Sequence, residues 1–169
     1  MDLHKVGLTD GILAIAEDWD HSLALKGDGT VWAWGYNDYG QLGNGTNRDS
    51  NVPVQVLGLT GVTVIAGGYY HSLALKNNGT VWTWGHNRSG QLGNGTNSDS
   101  NVPVPVSNLT GITAIVGGCL HSLALKNDGT VWTWGHNEYG QLGNGTDSDS
   151  NVPVRVSVLR SRKVKKGAI

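Results

Sequence analysis

Three histidines, His21, His71 and His121, stand 50 residues apart, and imidazoles repeated on a symmetric scaffold could hold a metal ion on a shared axis. No carboxylate or cysteine recurs beside them at ligand spacing. A packing hydrogen bond that every copy of a repeat needs would give the same period, so these histidines are expected to be structural, with no metal and no other cofactor. The other polar residues point to turns. Asp49, Asp99 and Asp149 lie in Asn- and Ser-rich segments that make no complete calcium loop, so they are expected to order the loops. Asp28 and Asp128 precede glycine as turn residues, and His86 and His136, with Tyr36 at the matching place, are expected to be loop hydrogen-bonders. The chain has no nucleophile elbow, no phosphate loop with its lysine, and no Ser, His and acid set outside the repeat. No catalytic residue is assigned, and an enzyme is not expected. The glycine-rich run from Gly90 to Gly95 opens no helix, which argues against phosphate binding, and sequons such as Asn44-Gly45-Thr46 read as repeated turn chemistry.

What must position these residues is a unit copied three times. Residues 66–95 recur, lightly edited, at 16–45 and 116–145, and Trp34, Trp84 and Trp134 keep the same 50-residue register as Pro53, Pro103 and Pro153. Laying 61–110 on 111–160 gives 38 identities in 50 positions, which marks near-copies of one supersecondary unit. The units run over about 11–60, 61–110 and 111–160, followed by a basic tail at 161–169. In the second unit, short β-rich runs predict strands at 62–66, 71–76, 80–85 and 102–106, too short for helices. Asn77-Asn78-Gly79 is a hairpin signal between the second and third strands, and the prolines at 53, 103, 105 and 153 place the last strand on an exposed edge. Alternation sets His71, Leu73 and Leu75 against Ser72 and Ala74, and Trp82 and Trp84 against Val81 and Thr83. A bulky face and a lean face per sheet follow, with the bulky face of one unit stacking on the lean face of the next around an axis. The expected class is therefore all-β, a β-propeller arc of about three four-stranded antiparallel blades. The first copy departs where Glu17-Asp18 replace Gly67-Gly68 and Gly117-Gly118. Glycine at such a corner supplies positive φ or close backbone approach, so the first copy reads as an edge.

The chain of 169 residues has 26 Gly, seven Trp, no Phe and 15% charged residues, a composition suited to sheets buried on both faces. A formal charge of −1 supplies no general attraction to nucleic acid or to an anionic membrane, and neither partner is expected. Asp2, Asp10, Glu17, Asp18 and Asp20 make the first twenty residues acidic, while Arg155, Arg160, Arg162, Lys163, Lys165 and Lys166 make the last fifteen basic. Solvated ends explain this; attraction between the ends of two chains is the sharper reading. Cys119, the single cysteine, aligns with Trp19 and Tyr69 as a variable, semi-buried position. Neither a signal-peptide pattern nor an apolar run of spanning length is present, so the default compartment is cytoplasmic, otherwise unknown.

The run Ile65-Ala66-Gly67-Gly68-Tyr69-Tyr70-His71-Ser72-Leu73-Ala74-Leu75, then Gly79-Thr80-Val81-Trp82-Thr83-Trp84-Gly85, Asn87 and Gly90-Gln91-Leu92-Gly93, resembles the repeat of the regulator of chromosome condensation family. The resemblance covers about residues 6–160. It implies a propeller of four-stranded blades, usually seven in a ring, with sequence repeats offset from blades so that ragged ends can complete one blade together. Three units leave an apolar sheet face open at each end. Closure by partner chains, as a homo-oligomer, or by further repeats of a longer array is therefore expected; two chains would make six units and three would make nine, neither the family's usual ring, which favours a longer array.

Where the copies differ, the scaffold is free to carry recognition. Positions 19, 69 and 119 read Trp19, Tyr69 and Cys119; positions 20, 70 and 120 read Asp20, Tyr70 and Leu120; positions 38, 88 and 138 read Asp38, Arg88 and Glu138; positions 39, 89 and 139 read Tyr39, Ser89 and Tyr139. All of these except Cys119 and Ser89 form the candidate binding surface, since aromatic residues and Arg suit interaction hot spots. The expected role is a non-enzymatic scaffold for a protein partner. The alternatives are a regulatory propeller, acting as a guanine-nucleotide exchange factor or enzyme inhibitor, and a carbohydrate-binding propeller. Family members with exchange activity use inserted loops, and no insertion interrupts the 50-residue spacing here. The family's plant UV-B photoreceptor places Trp two residues before the repeat His with Arg beside it, a pattern met only by Trp19 and without the Arg.

Overall fold

A computed structural model describes residues 11–157. The ends at 1–10 and 158–169, with Asp2, Asp10, Arg160, Arg162 and the tail lysines, lie outside the described residues. Blade 1 comprises β1 (Ile12–Glu17), β2 (His21–Lys26), β3 (Val31–Gly35) and β4 (Ser50–Gln55). Blade 2 comprises β5 (Val62–Gly67), β6 (His71–Lys76), β7 (Val81–Gly85) and β8 (Ser100–Pro105). Blade 3 comprises β9 (Ile112–Gly117), β10 (His121–Lys126), β11 (Val131–Gly135) and β12 (Ser150–Arg155). Each is an antiparallel sheet of four consecutive strands, so no blade among the described residues is assembled from the two ends of the chain. Neighbouring blades touch through their first and second strands, β1 and β2 against β5, and β5 and β6 against β9. The first strands thus line the inner side of a propeller arc, and the proline-bearing β4, β8 and β12 form its outer edge, where a missing N–H is harmless. Among the described residues no helix is long and apolar enough to cross a membrane.

The hairpins set the register. Gly79, at φ +77°, donates its N–H to the Lys76 carbonyl at 2.9 Å, and the turn fixes Leu73 opposite Thr83 and Ala74 opposite Trp82. Directly paired residues share a face, which corrects the expected division into bulky and lean faces. One face of blade 2 carries His71, Leu73 and Leu75 with Val81 and Thr83; the other carries Ser72 and Ala74 with Trp84 and Trp82. Each face is half bulky and half lean, with the halves exchanged, so a leucine column meets Ser and Ala while tryptophan meets small residues and loop backbone. The first core cluster accordingly joins Leu23, Leu25, Val31 and Ala33 of blade 1 to Ile65, Ala74 and Trp84 of blade 2, and the second repeats this one blade on.

Close approach is what the inner glycines supply. Gly67 and Gly117 have no positive φ, but a Cβ on Gly67 would lie 2.7 Å from the Glu17 carbonyl oxygen. A Cβ on Gly68 would enter the His71 ring, 2.1 Å from Cε1. Glu17 has no blade packed before it among the described residues, so its side chain meets no such limit.

Candidate protein-interaction rim

Between blades His21 and His71 are each engaged through one ring nitrogen. His21 Nε2 lies 2.8 Å from Ser72 Oγ, and Ser72 Oγ donates to the Gln41 carbonyl at 2.9 Å. Since the serine has one proton to give, Nε2 carries the hydrogen of a neutral imidazole. The same Gln41 carbonyl accepts the indole N–H of the fully buried Trp84 at 2.8 Å. One blade on, His71, Ser122, the Gln91 carbonyl and Trp134 repeat this relay at 2.9, 2.9 and 2.8 Å. Burial pushes His21 down to about 4 and His71 to about 3, so both are neutral at ordinary pH. The relay ties a loop of one blade to two strands of the next, with His21, Ser72 and Trp84 at the first junction and His71, Ser122 and Trp134 at the second.

The loops above this seam are held by their own side-chain hydrogen bonds. Asn37 accepts the Leu42 N–H on Oδ1 at 2.9 Å and donates from Nδ2 to the carbonyls of Thr46 and Arg48, while its own N–H goes to Asp49 Oδ1 at 2.8 Å. Asn87 with Asp99 and Asn137 with Asp149 do the same. Asp28 and Asp128 accept from Thr30 and Thr130, as turn residues. His86 meets Gln91 at 2.7 Å, and His136 lies 3.3 Å from Asp149.

These loops and the β1–β2, β5–β6 and β9–β10 turns form one rim of the arc, and the hairpins form the other. The loop rim carries Glu17, Asp18, Asp20, Asp38, Asp49, Asp99, Glu138, Asp147 and Asp149 against Arg48 and Arg88, nine acids to two bases. The hairpin rim carries Lys26, Lys76 and Lys126 beside Asp28 and Asp128. A near-neutral composition thus hides a strong polarity across the arc.

On the acidic rim, four of the candidate residues come together where blades 1 and 2 meet. The Trp19 and Tyr69 rings are 5.2 Å apart, Tyr69 and Tyr70 4.2 Å, and Tyr70 and Tyr39 5.0 Å. Tyr36 extends the row at 5.7 Å from Tyr70, and His86 closes it at 4.6 Å from Tyr39. Tyr36 and His86 join the surface although the sequence marks them only as loop residues; their one signal is that position 36/86/136 also varies between copies. The Tyr36 hydroxyl donates to Asp38 at 2.8 Å, and that bond holds the phenol up at about 12. Tyr70 is likewise raised, first by its hydrogen bond with Tyr69 and further by the Asp20 charge. Trp19 is 79% exposed, and beside it a groove of about 490 Å³ runs over Gly67, Gly68, Gly117 and Gly118.

The remaining candidates stand apart. Arg88 and Glu138 are exposed, Leu120 is half-buried, and Tyr139 reaches only His136, 6.3 Å away. Cys119 is exposed rather than semi-buried, because no further blade covers that corner among the described residues. At the second junction Cys119, Leu120 and Ser89 replace Tyr69, Tyr70 and Tyr39, and no aromatic row forms.

Blade 1 differs below the rim as well. Asp18, standing where the other blades have Gly68 and Gly118, buries Oδ2 without a hydrogen bond, 3.7 Å from the equally unpartnered His21 Nδ1. Burial, with some help from Asp20, pushes the Asp18 carboxyl up to about 6.

Known proteins share this architecture. The chain is similar to the solved structure of human WBSCR16, with a TM-score of 0.78 and 31% identity, over 88% of this chain and 40% of that one. It is 47% identical over 45 residues to the ultraviolet-B receptor UVR8 of Arabidopsis thaliana, a match covering 27% of this chain and 10% of the receptor. It is 46% identical over 41 residues to the human E3 ubiquitin-protein ligase HERC2, covering 24% of this chain and 1% of the ligase. The chain thus spans less than half the length of each. The family model of the RCC1-like domain matches residues 2–169. Together with three four-stranded blades stacked in an arc, that match means that the chain belongs to the RCC1-like domain family.

Proposed function

We propose that this chain is a non-enzymatic interaction scaffold that recognises a basic segment of a partner protein on the rim shared by blades 1 and 2. The observation that carries this reading is the aromatic row from Trp19 through Tyr69, Tyr70, Tyr36 and Tyr39 to His86, built at one junction and absent from the other. The blade fold does not require it, since the second junction packs the same seam without it. Aromatic faces attract Arg and Lys side chains, each such contact contributing about 0.5–2 kcal/mol, and the surrounding carboxylates add long-range attraction. The groove beside Trp19 gives an extended peptide a place to lie.

The test is a fluorescence titration with Arg- and Lys-rich peptides against their Glu-substituted counterparts, at two salt concentrations. Binding of the basic set alone, weakened by salt and by at least tenfold in Tyr70→Ala or Asp38→Asn, supports the reading. Equal binding of both sets overturns it. A glycan array and a nucleotide-release assay with small GTPases cover the other two roles, a carbohydrate-binding propeller and an exchange factor. Activity there, without peptide binding, would replace the proposal.

A further inference from the structure

The chain holds four Asn-Gly steps, at 44–45, 78–79, 94–95 and 144–145. Such a step carries its own reagents, because the glycine nitrogen, with no Cβ beside it, can attack the asparagine Cγ and displace ammonia. How fast it does so depends on how readily the local structure opens to free the two atoms.

Asn44 and Asn94 are held from outside their own turns. The Gly45 N–H donates to the Asn101 carbonyl at 2.9 Å and the Gly95 N–H to the Asn151 carbonyl at 2.8 Å, each on the outer strand of the next blade. Both asparagines are half-buried, and their Oδ1 atoms also accept from the buried Asn37 and Asn87 at 3.5 and 3.3 Å. Freeing either glycine nitrogen means parting two blades. Asn144 and Gly145 make the same turn, but no blade follows them among the described residues.

The reacting atoms of Asn78 and Gly79 are held only from within their own hairpin. Asn78 is exposed, its Oδ1 accepts the Thr80 N–H at 3.1 Å and the Thr80 hydroxyl at 2.7 Å, and the Gly79 N–H donates to the Lys76 carbonyl at 2.9 Å. The Gly79 carbonyl accepts from Ile112 of blade 3 at 3.0 Å, a bond that involves neither reacting atom. Loosening one exposed turn therefore releases the nucleophile, and the two Thr80 donors stand where negative charge grows on Oδ1 during attack.

The sibling blades already hold the product. Asp28 and Asp128 stand at the place of Asn78 and accept from Thr30 and Thr130 in the same way, the N–H at 2.9 Å and the hydroxyl at 2.6 Å. In those blades the threonine hydroxyl in turn accepts the indole N–H of Trp32 at 3.2 Å and of Trp132 at 3.0 Å, whereas in blade 2 the Trp82 Nε1 is buried without a partner. A hydroxyl that donates to a carboxylate is itself the better acceptor, so a charge at position 78 completes the chain from Trp82 through Thr80.

We infer that Asn78 is a site of spontaneous deamidation, and that its aspartate product is the residue this hairpin holds best. Gly79 N gives its proton to hydroxide and bonds to Asn78 Cγ, and the side-chain nitrogen takes a proton from water and leaves as ammonia. Water then opens the cyclic imide. Breaking the N–Cγ bond restores the main chain and gives aspartate; breaking the bond to the backbone carbonyl gives isoaspartate. The threonine bonds hold the Asp28 and Asp128 carboxyls below their usual range, so an aspartate in this turn stays ionised and, as a poor electrophile, does not close again.

Peptide mapping by mass spectrometry of the purified chain held at mildly alkaline pH, with thermal unfolding of Asn78→Asp at neutral pH, tests this. Counting aspartate and isoaspartate together, Asn78 should convert at least about tenfold faster than Asn44 and Asn94. Asn78→Asp should unfold at a higher temperature than the parent, and the Trp82 indole N–H should shift in the nuclear magnetic resonance spectrum. An intact Asn78, or conversion of Asn44 or Asn94 at an equal rate, overturns the inference that the hairpin is the reactive site. An unfolding temperature for Asn78→Asp equal to or below that of the parent overturns the inference that the hairpin holds aspartate best.

Discussion

The junction of blades 1 and 2 and the junction of blades 2 and 3 are the same object at depth and different objects at the rim. In both, a histidine, a serine, a glutamine carbonyl and a tryptophan make the same bonds at distances agreeing within about 0.1 Å. Above the first lies a row of aromatic rings 4.2 to 5.7 Å apart, and above the second lie Cys119, Leu120 and Ser89. The buried relay is under packing constraint, because removing any member strands a polar group between sheets. The rim is under none of that constraint. A difference there is one the fold permits, and identity below is one the blade needs.

Removing the seam tryptophans should have the largest effect. Trp84 and Trp134 are both fully buried and both donate to a carbonyl of the preceding blade. Trp84→Ala and Trp134→Ala should each cost about 3–5 kcal/mol in urea unfolding. Tyr70→Ala, on the rim, should cost under about 1 kcal/mol. A large cost for Tyr70→Ala would make the aromatic row a structural element and remove the contrast between depth and rim.

Next come the serines. Ser72→Ala leaves His21 Nε2–H without its acceptor between blades 1 and 2, and Ser122→Ala does the same to His71 between blades 2 and 3. Each should cost about 1–3 kcal/mol, the penalty for a buried donor with no partner. Equal costs within about 0.5 kcal/mol would show two equivalent seams. Unequal ones would place the asymmetry of the molecule below the rim as well.

A smaller and pH-dependent effect separates blade 1 from the others. His21 and His71, held at about 4 and about 3 when folded, bind more protons unfolded between those values and about 6.5. Their contribution is therefore complete above about 6.5 and is lost as pH falls. Asp18 runs the other way: raised to about 6, it favours the folded state below about 3.8, and that contribution is lost as pH rises through about 6. At neutral pH its carboxylate faces the His21 Nδ1 lone pair. Asp18→Asn supplies a permanent N–H there and should stabilise by about 1–2 kcal/mol at pH 8, after allowance for solvent screening, and by almost nothing at pH 4. A gain of equal size at both pH values would mean that the charge is not what separates this corner from Gly68.

Much of the fold was readable in the chain. Fifty-residue spacing, the Asn77-Asn78-Gly79 turn and the edge prolines lead to four-stranded blades, with observed strands within two residues of the expected bounds. The faces were misassigned because alternation along a strand says nothing of which residue it opposes; that depends on the hairpin, which sets Leu73 against Thr83 and Ala74 against Trp82. The partners of His21 and His71 were not legible, since Ser72 and Ser122 each lie on the next blade and 51 positions away. Comparing copies picked out Trp19, Tyr69, Tyr70 and Tyr39. The comparison could not separate them from Arg88, Glu138 and Tyr139, because the rim row requires aromatic residues on both sides of one junction at once.

That last condition can be built where it is missing. Cys119→Tyr, Leu120→Tyr and Ser89→Tyr give the second junction the tyrosines of the first, beside His136 at the place of His86 and His86 at the place of Tyr36. All three positions lie on the surface or half-buried, clear of the seam, so stability should change by under about 0.5 kcal/mol. If the aromatic row on an acidic rim is sufficient for recognition, a basic peptide should then bind at two sites per chain instead of one, read as stoichiometry by calorimetry. If the stoichiometry stays at one, the row is necessary at most. The first rim's own carboxylates, Glu17, Asp18 and Asp20, whose places in the second junction are taken by Gly67, Gly68 and Tyr70, would then be what selects the ligand.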